Sequence, residues 1–341
     1  MNIQYLSSNQ ELQHTLDQYN NNHDRIFYIT QESILLESSF INKVIKNQNI
    51  YICSENENCK SIDEYQKCIK YLYQNQCNRN SLIIAIGGGS VTDFCGFIAS
   101  SYMRGLSYIA IPSTLLGMVD ASIGGKTALN FQGIRNLIGT YKVPNEIIII
   151  PELINTLKKG DIINGCAEIL KYSLIMDKKL FLQIETNIDS ILSKVDIDFI
   201  TPIIKTCIGH KLKVVEQDMY DHGERNILNF GHTVGHALES YYEFNMPHGT
   251  AILYGMQVAS YLSYQQNYIK EDEYDRISIL IKKFGLKKLN LLDYNRVLEF
   301  INADKKKMGN QLNYILLKEI GTAIIEQNYN KNLIGEALKI L

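Results

Sequence analysis

Little in this sequence points toward disulfides, membranes or nucleic acid. The seven cysteines form no Cys-x-x-Cys pair, and their odd number and scatter exclude a disulfide framework in favour of reduced thiols. The 34 basic and 36 acidic residues leave a formal net charge of -2. A balance that close supplies no global field for nucleic acid or an anionic membrane, so any anion must be met by locally placed lysines and arginines. No apolar run approaches the roughly 18 residues of a membrane span. The opening Met1-Asn-Ile-Gln-Tyr lacks the basic-then-apolar pattern of a signal peptide. The expectation is a cytoplasmic protein with small-molecule partners.

What is present reads as two domains. At 341 residues the chain can bury two cores, and its 45% hydrophobic and 21% charged content is ordinary for a globular enzyme. The first part alternates strand-like and helix-like segments. Strands are expected at 25–30, 49–53, 81–86, 108–112 and 146–150, with a helix over 61–73. The almost wholly apolar run 81–86 suits a parallel sheet covered on both faces. Beyond Pro151 helical patterns dominate, at 161–175, 198–216, 233–242, 251–265 and 272–284, and strand signals nearly vanish until 314–317. The fold class is therefore an α/β Rossmann-like nucleotide-binding domain over residues 1–150, followed by a mainly α-helical domain over 151–341. The active site of such an enzyme is expected in the cleft between domains.

Three segments carry chemistry. Three of the seven histidines (His232, His236, His248) fall within seventeen residues. His232 and His236 are four apart and share a helix face, so spacing alone favours them as a metal-binding pair over a structural role. The strand ending at Ile86 runs into Gly87-Gly-Gly-Ser-Val-Thr-Asp93, a strand-to-helix turn whose backbone N–H groups and helix N-terminus suit a pyrophosphate. The spacing is neither Gly-x-Gly-x-x-Gly nor a P-loop, and a simple tight turn is the alternative. The small, polar segment from Ile111 to Asn130 contains isolated Asp120 and Lys126, which either pair with each other or line a ligand site.

Taken together the chain resembles the 3-dehydroquinate synthase family of the sugar phosphate cyclases. The resemblance rests on ordered blocks: 87–93, Tyr102-Met-Arg104-Gly, Pro112-Ser-Thr-Leu-Leu, Val119-Asp-Ala-Ser-Ile-Gly-Gly-Lys126-Thr, Asn136-Leu-Ile-Gly, Asn164-Gly-Cys-Ala-Glu168-Ile-Leu-Lys171, Gly223-Glu-Arg225, 229–236 and His248-Gly. It implies an NAD- and divalent-metal-dependent lyase of the shikimate pathway that turns 3-deoxy-D-arabino-heptulosonate 7-phosphate into 3-dehydroquinate, and a homodimer. It implies zinc or cobalt on Glu168, His232 and His248, against the spacing preference for His232 with His236. Catalytic roles fall to Lys126, Lys171, Asp120, Asp221 and His236. Substrate contacts fall to Arg104, Asn136, Lys211, Arg225, Asn229, His236, Lys305 and Lys306, with Arg104 arriving from a dimer partner. NAD contacts fall to Glu57, Lys60, Gly88, Gly89, Ser90, Asp93, Ser113, Thr114, Asp120, Lys126, Arg135, Leu153, Thr156 and Asn164.

The bland alternatives are a surface i,i+3 ion pair for Glu168 and Lys171, and a solvated charged turn for Glu57 and Lys60. The chain departs from the family pattern at Arg135 for a lysine, Asp221 for a glutamate, and Thr30-Gln31 for Thr-Asp. Competing functions are a cyclase acting on sedoheptulose 7-phosphate or glucose 6-phosphate, a polyol dehydrogenase, and a binding-only protein of this fold.

Overall fold

The apolar run at 81–86 sets the architecture. In the computed structural model Leu82–Gly87 is a strand with every residue buried, as a central parallel strand requires. The structure describes residues 1–46, 48–290, 292–307, 313–327 and 329–341, with backbone alone at 303–307 and 331. It divides into two compact units, Met1–Lys158 and Lys159–Leu341.

The first unit holds β1 (Asn2–Tyr5), β2 (Ile26–Gln31), β3 (Asn49–Cys53), β4 (Leu82–Gly87), β5 (Ser107–Pro112), β6 (Lys126–Phe131), β7 (Ile134–Tyr141) and β8 (Glu146–Ile149). Its helices are α1 (Asn9–Asn22), α2 (Glu32–Glu37), α3 (Ser39–Ile45), α4 (Ile62–Gln74) and α5 (Gly89–Ser101). Six strands form a parallel sheet in the order β1-β8-β5-β4-β2-β3. The chain steps outward from β2 to β3, then returns to the other side of β2 for β4. That reversal is a topological switch point, and ligands of open α/β sheets bind there, at the carboxyl ends of the strands. The Gly87-Gly-Gly turn is the carboxyl end of β4.

Sequence reading places the sheet strands from β2 onward and α4 to within a residue or two, helped by a clear stop-start signal at Ser61, whose hydroxyl caps the Glu64 N–H at 3.1 Å. It misses the antiparallel hairpin β6–β7. The signal there is faint because β7 is largely exposed and carries no apolar alternation. Its two-residue turn, Gln132-Gly133, has both φ angles positive (48° and 77°), the geometry that hairpin twist favours. The hairpin lies on α5: a Cβ added at Gly96 would stand 2.4 Å from Thr127 Cγ2.

The second unit contains α6 (Lys159–Met176), α7 (Lys178–Ser193), α8 (Ile197–Gln217), α9 (His232–Tyr241), α10 (His248–Gln265), α11 (Glu271–Lys282), α12 (Tyr294–Lys307) and α13 (Lys331–Ala337), with an antiparallel pair, β9 (Tyr314–Glu319) and β10 (Thr322–Glu326). Helix α10 begins three residues earlier than its periodicity suggests, so His248 is its first residue. α9 and α10 meet backbone to backbone. A Cβ at Gly255 would stand 1.8 Å from the Gly231 carbonyl oxygen, and one at Gly235 2.6 Å from Ile252 Cδ1. Gly231, at φ +77°, caps α9 in the left-handed region. All seven cysteines are buried and free. Among the described residues no helix is long and apolar enough to cross a membrane.

Candidate metal and cofactor sites

Three helices of the second unit converge on one point. α6 brings Glu168, α9 begins with His232, and α10 begins with His248. One donor atom from each lies within 4.8 Å of the others. His232 Nε2 is 3.5 Å from Glu168 Oε1, and His248 Nε2 is 3.3 Å from the same oxygen. A tetrahedral ion with bonds of ~2.0–2.2 Å separates its donors by about 3.3–3.6 Å. Both separations match that, so the chain's own residues fit a zinc-type ion. The donor chemistry agrees: two imidazoles and one carboxylate form the set of a catalytic site with an open position.

Neighbours prepare each donor. Lys171 Nζ is ion-paired with Glu168 Oε2, and Oε1 faces the imidazoles. Both side chains are buried, at 2% and 0% exposure, so this is no surface ion pair. His232 Nδ1 lies 3.1 Å from the Phe230 carbonyl, a contact that puts the proton on Nδ1 and the lone pair on Nε2. Burial pulls His232 down to about 3, with the Lys171 charge adding to the effect against the pull of Glu168. Its neutral, ligating form is therefore the stable one. For His248, burial opposes the charge, but hydrogen bonds to Glu168 and Glu239 outweigh it and push the ring up to about 10. A cation held by Glu168, His232 and His248 would take the place of that proton.

Helix α10 is pinned to α6 beside these donors. The Gly249 N–H donates to Asn164 Oδ1 at 2.9 Å, and a Cβ at Gly249 would stand 2.5 Å from Asn164 Cα. Asn164, expected among the NAD contacts, is thus also the fastener of the His248 end. His236 lies next to the donor set but outside it. Its ring centroid is 5.3 Å from that of His232 and 6.4 Å from that of His248, and it is exposed. The spacing argument for a His232–His236 metal pair therefore gives way to the His232–His248 pair that the resemblance implies.

Two cations that the resemblance assigns to the substrate are buried. Lys211 and Arg225 are 7% and 4% exposed, and Asn229 is half-buried. Arg225 lies in the short 3-10 helix Glu224–Asn229, which follows a loop organised by Asp218; that carboxylate accepts from the backbone N–H groups of His222, Gly223 and Arg225 at 2.9, 2.8 and 3.1 Å. Those bonds hold the Asp218 carboxyl down at about 2. The Arg225 guanidinium donates to the Met219 carbonyl at 2.8 Å. Asp221 lies in the same loop at φ +60°. Asp218 escapes sequence reading because a helix C-cap aspartate has no distinguishing pattern. The side chains of Lys305 and Lys306 lie outside the described residues.

The first unit builds a separate cluster at the switch point. Lys60 is 3% exposed and lies 2.7 Å from Asp93 Oδ2 and 3.3 Å from Glu57 Oε1, and it also bonds Asn136 Oδ1. Ser90 Oγ donates to Glu57 Oε2 at 2.5 Å, and Asn130 Nδ2 donates to Glu57 Oε1 at 3.1 Å. A solvated turn is excluded by that burial. Burial opposes the Glu57 charge, but Lys60, Ser90, Asn130 and Arg135 together hold the carboxyl below its usual range. Burial likewise opposes the Lys60 charge, and Asp93 and Glu57 hold it above the ordinary lysine range. Asn136, assigned to substrate by resemblance, is tied into this cluster, its backbone N–H bonded to Asn130 Oδ1 at 2.9 Å.

Around it the strand ends assemble. Gly88 is the residue before α5 and offers no side-chain cap, so the first N–H groups of that helix point outward. The Ser113 N–H bonds the Gly87 carbonyl at 2.9 Å, and a Cβ at Gly88 would stand 3.2 Å from Thr114 Cγ2. Gly89 leaves room for Ala121, beside Asp120 on a π-helical turn. Leu153 and Thr156 form the turn that follows β8, with Thr156 Oγ1 bonded to the Leu153 carbonyl at 2.7 Å. Lys126 shares a small cavity with Asp93, Ser122, Thr127 and Lys142. Lys142, whose ammonium burial pulls below its usual range, was not singled out from the sequence. Gln31 ends β2, its side-chain amide spent on the Ser54 and Asn56 carbonyls at 2.7 and 3.1 Å. Arg104 stands apart. It is exposed, has φ +68°, and follows α5 at the amino-terminal side of β5. The 13 residues of α5 put it about 20 Å from the glycine turn.

Comparison with known proteins decides the family. The model of the 3-dehydroquinate synthase N-terminal region matches residues 50–164, and that of the C-terminal region matches 165–307. The chain belongs to the 3-dehydroquinate synthase family. A family member from Dictyoglomus turgidum is 39% identical over 316 residues, covering 90% of this chain and 88% of the relative. Two solved structures share the family fold. A 2-epi-5-epi-valiolone synthase from Streptomyces hygroscopicus subsp. jinggangensis, solved with NAD+ and Zn2+, aligns with a TM-score of 0.89 at 23% identity, over 99% of this chain and 96% of that one. A 2-deoxy-scyllo-inosose synthase with carbaglucose-6-phosphate, NAD+ and Co2+ aligns with a TM-score of 0.85 at 23% identity, over 99% and 96% of the two chains.

Proposed function

We propose that the chain is a 3-dehydroquinate synthase, converting 3-deoxy-D-arabino-heptulosonate 7-phosphate to 3-dehydroquinate and phosphate with NAD and a divalent cation, zinc or cobalt. Family membership supports the reaction. The observation that carries the chemistry is the donor spacing at Glu168, His232 and His248, with the buried Lys171 alongside. Bound there, the cation supplies Lewis acidity at a substrate hydroxyl, and NAD serves as a hydride acceptor that is later returned to its starting state.

The chain's own residues do the rest. Residues 1–150 are assigned mainly to NAD and 151–341 mainly to the metal and substrate. Glu57, Lys60 and Asp93 with the 88–90 turn, Ser113 and Thr114 hold the dinucleotide; Leu153, Thr156, Arg135 and Asn164 complete its contacts. Lys211, Arg225, Asn229, Asn136, Lys126 and Lys171 orient a substrate carrying about three negative charges, which suits cations, of which Lys171, Lys211 and Arg225 are buried. Lys305 and Lys306 are assigned to its phosphate. His236, exposed and beside the donor set, is placed to hold and pass a proton during phosphate departure, with Asp221 and Asp120 as further carboxylates. Arg104 is assigned to the substrate of a partner's site in a homodimer, as the family resemblance implies. The protein is assigned to the cytoplasm.

The test is phosphate release from purified protein with zinc or cobalt, catalytic NAD and the heptulosonate phosphate, with 340 nm absorbance followed in parallel. Phosphate release without accumulating NADH is the expected result. Stoichiometric NADH would mean a dehydrogenase, and release only from sedoheptulose 7-phosphate or glucose 6-phosphate would mean a different cyclase.

A further inference from the structure

The two histidines of the donor set are backed differently. His232 Nδ1 meets a backbone carbonyl, that of Phe230, at 3.1 Å. His248 Nδ1 instead faces a carboxylate, Glu239 Oε1, at 3.5 Å, while its Nε2 faces Glu168 Oε1 at 3.3 Å. Glu239 is 3% exposed, and a carboxylate that deep is costly unless it has a partner. It lies on α9 seven residues after His232, two turns along the same helix face. One helix therefore provides a donor directly and stands behind a second donor that belongs to α10.

We propose that Glu239 is a positioning residue of the metal site. It accepts the Nδ1–H of His248, fixes the tautomer that turns the Nε2 lone pair toward Glu168 and His232, and strengthens that nitrogen as a donor. A charged backing does this more strongly than the neutral carbonyl behind His232. The Glu239 charge also offsets part of the positive charge that a divalent ion and Lys171 bring into a buried place. This inference rests on the metal-site reading of Glu168, His232 and His248.

The test titrates metal-free protein with Co2+ against a chromogenic chelator and follows the visible cobalt spectrum. Wild type must bind and His232→Ala must not; if both bind alike, the metal-site reading itself fails, separately from the role of Glu239. Given that control, Glu239→Gln is expected to bind Co2+ ~10–100-fold more weakly, with an altered cobalt spectrum and the same thermal midpoint as wild type when metal-free. Excess Co2+ is expected to restore its turnover. Glu239→Asp, which keeps the carboxylate, is expected to bind more tightly than Glu239→Gln. Wild-type affinity in Glu239→Gln, weaker binding by Glu239→Asp than by Glu239→Gln, or a fall in metal-free stability that accounts for the lost affinity would each overturn the assignment.

Discussion

The two sites are built on opposite plans. The charged cluster of the first unit is built from pairs that are local in sequence, Glu57 with Lys60 one turn apart and Ser90 with Asp93 at the start of a single helix, to which Asn130 and Asn136 of the hairpin are added. The donor set of the second unit is distributed: Glu168, His232 and His248 come from three helices and span 81 residues of chain, 168 to 248 inclusive. A local cluster tolerates loss by degrees, because each charge has several partners. A distributed set of three donors with single roles does not.

That contrast can be broken most directly at His232. Its replacement by Ala is expected to remove metal and nearly all turnover while the protein stays folded and still binds NAD. Elemental analysis, circular dichroism and dinucleotide titration check this, and lost NAD binding would show that the two sites are one system. A smaller effect is expected at Gly255, where an added Cβ would meet the Gly231 carbonyl at 1.8 Å. Gly255→Ala should destabilise the fold by about 3 kcal/mol in denaturant unfolding and weaken metal binding, although neither glycine is a ligand. Unchanged stability would mean that α9 and α10 can shift apart freely.

The smallest effect sharpens the local side. Glu57 is held below its ordinary value of 4.5 and Lys60 above its ordinary 10.5, each against the cost of burial. A depressed carboxylate contributes stability above its unfolded value and loses it as pH falls through the folded one. A raised lysine contributes below its unfolded value and loses it as pH rises through the folded one. The advantage of wild type over Lys60→Met is therefore expected to be greatest between about pH 4.5 and 10.5 and to shrink outside that window. Thermal midpoints measured across pH check it, and a constant difference would assign the Lys60 contribution to packing alone. NAD affinity should fall in the same variant while metal affinity does not.

The same contrast explains what could be read from the chain. The glycine turn and the sheet strands are contiguous in sequence, so short-range pattern is enough to find them, whereas the Glu57–Lys60 pair comes from resemblance. The hairpin β6–β7 is contiguous too, but its exposed second strand leaves no apolar signature. On the metal side, spacing favours His236 over His248, because one-turn separation is visible in sequence and helix–helix approach is not. Resemblance supplies Glu168 and His248; close contact of α6, α9 and α10 is the physical reason they meet. Glu239 has a signal of its own kind, since it continues the face of His232 and His236, yet nothing in the sequence says which histidine it supports. Asp218 has none.

Gly231, Gly235 and Gly255 turn α9 and α10 into a gauge block. Where helices touch through large side chains, rotamer changes can take up a substitution and the gap drifts. Here backbone rests on backbone, and the distance between two imidazoles inherits the hardness of a van der Waals contact. The opening that Glu168, His232 and His248 leave between them is therefore set by backbone contact and not by the rotamers around it.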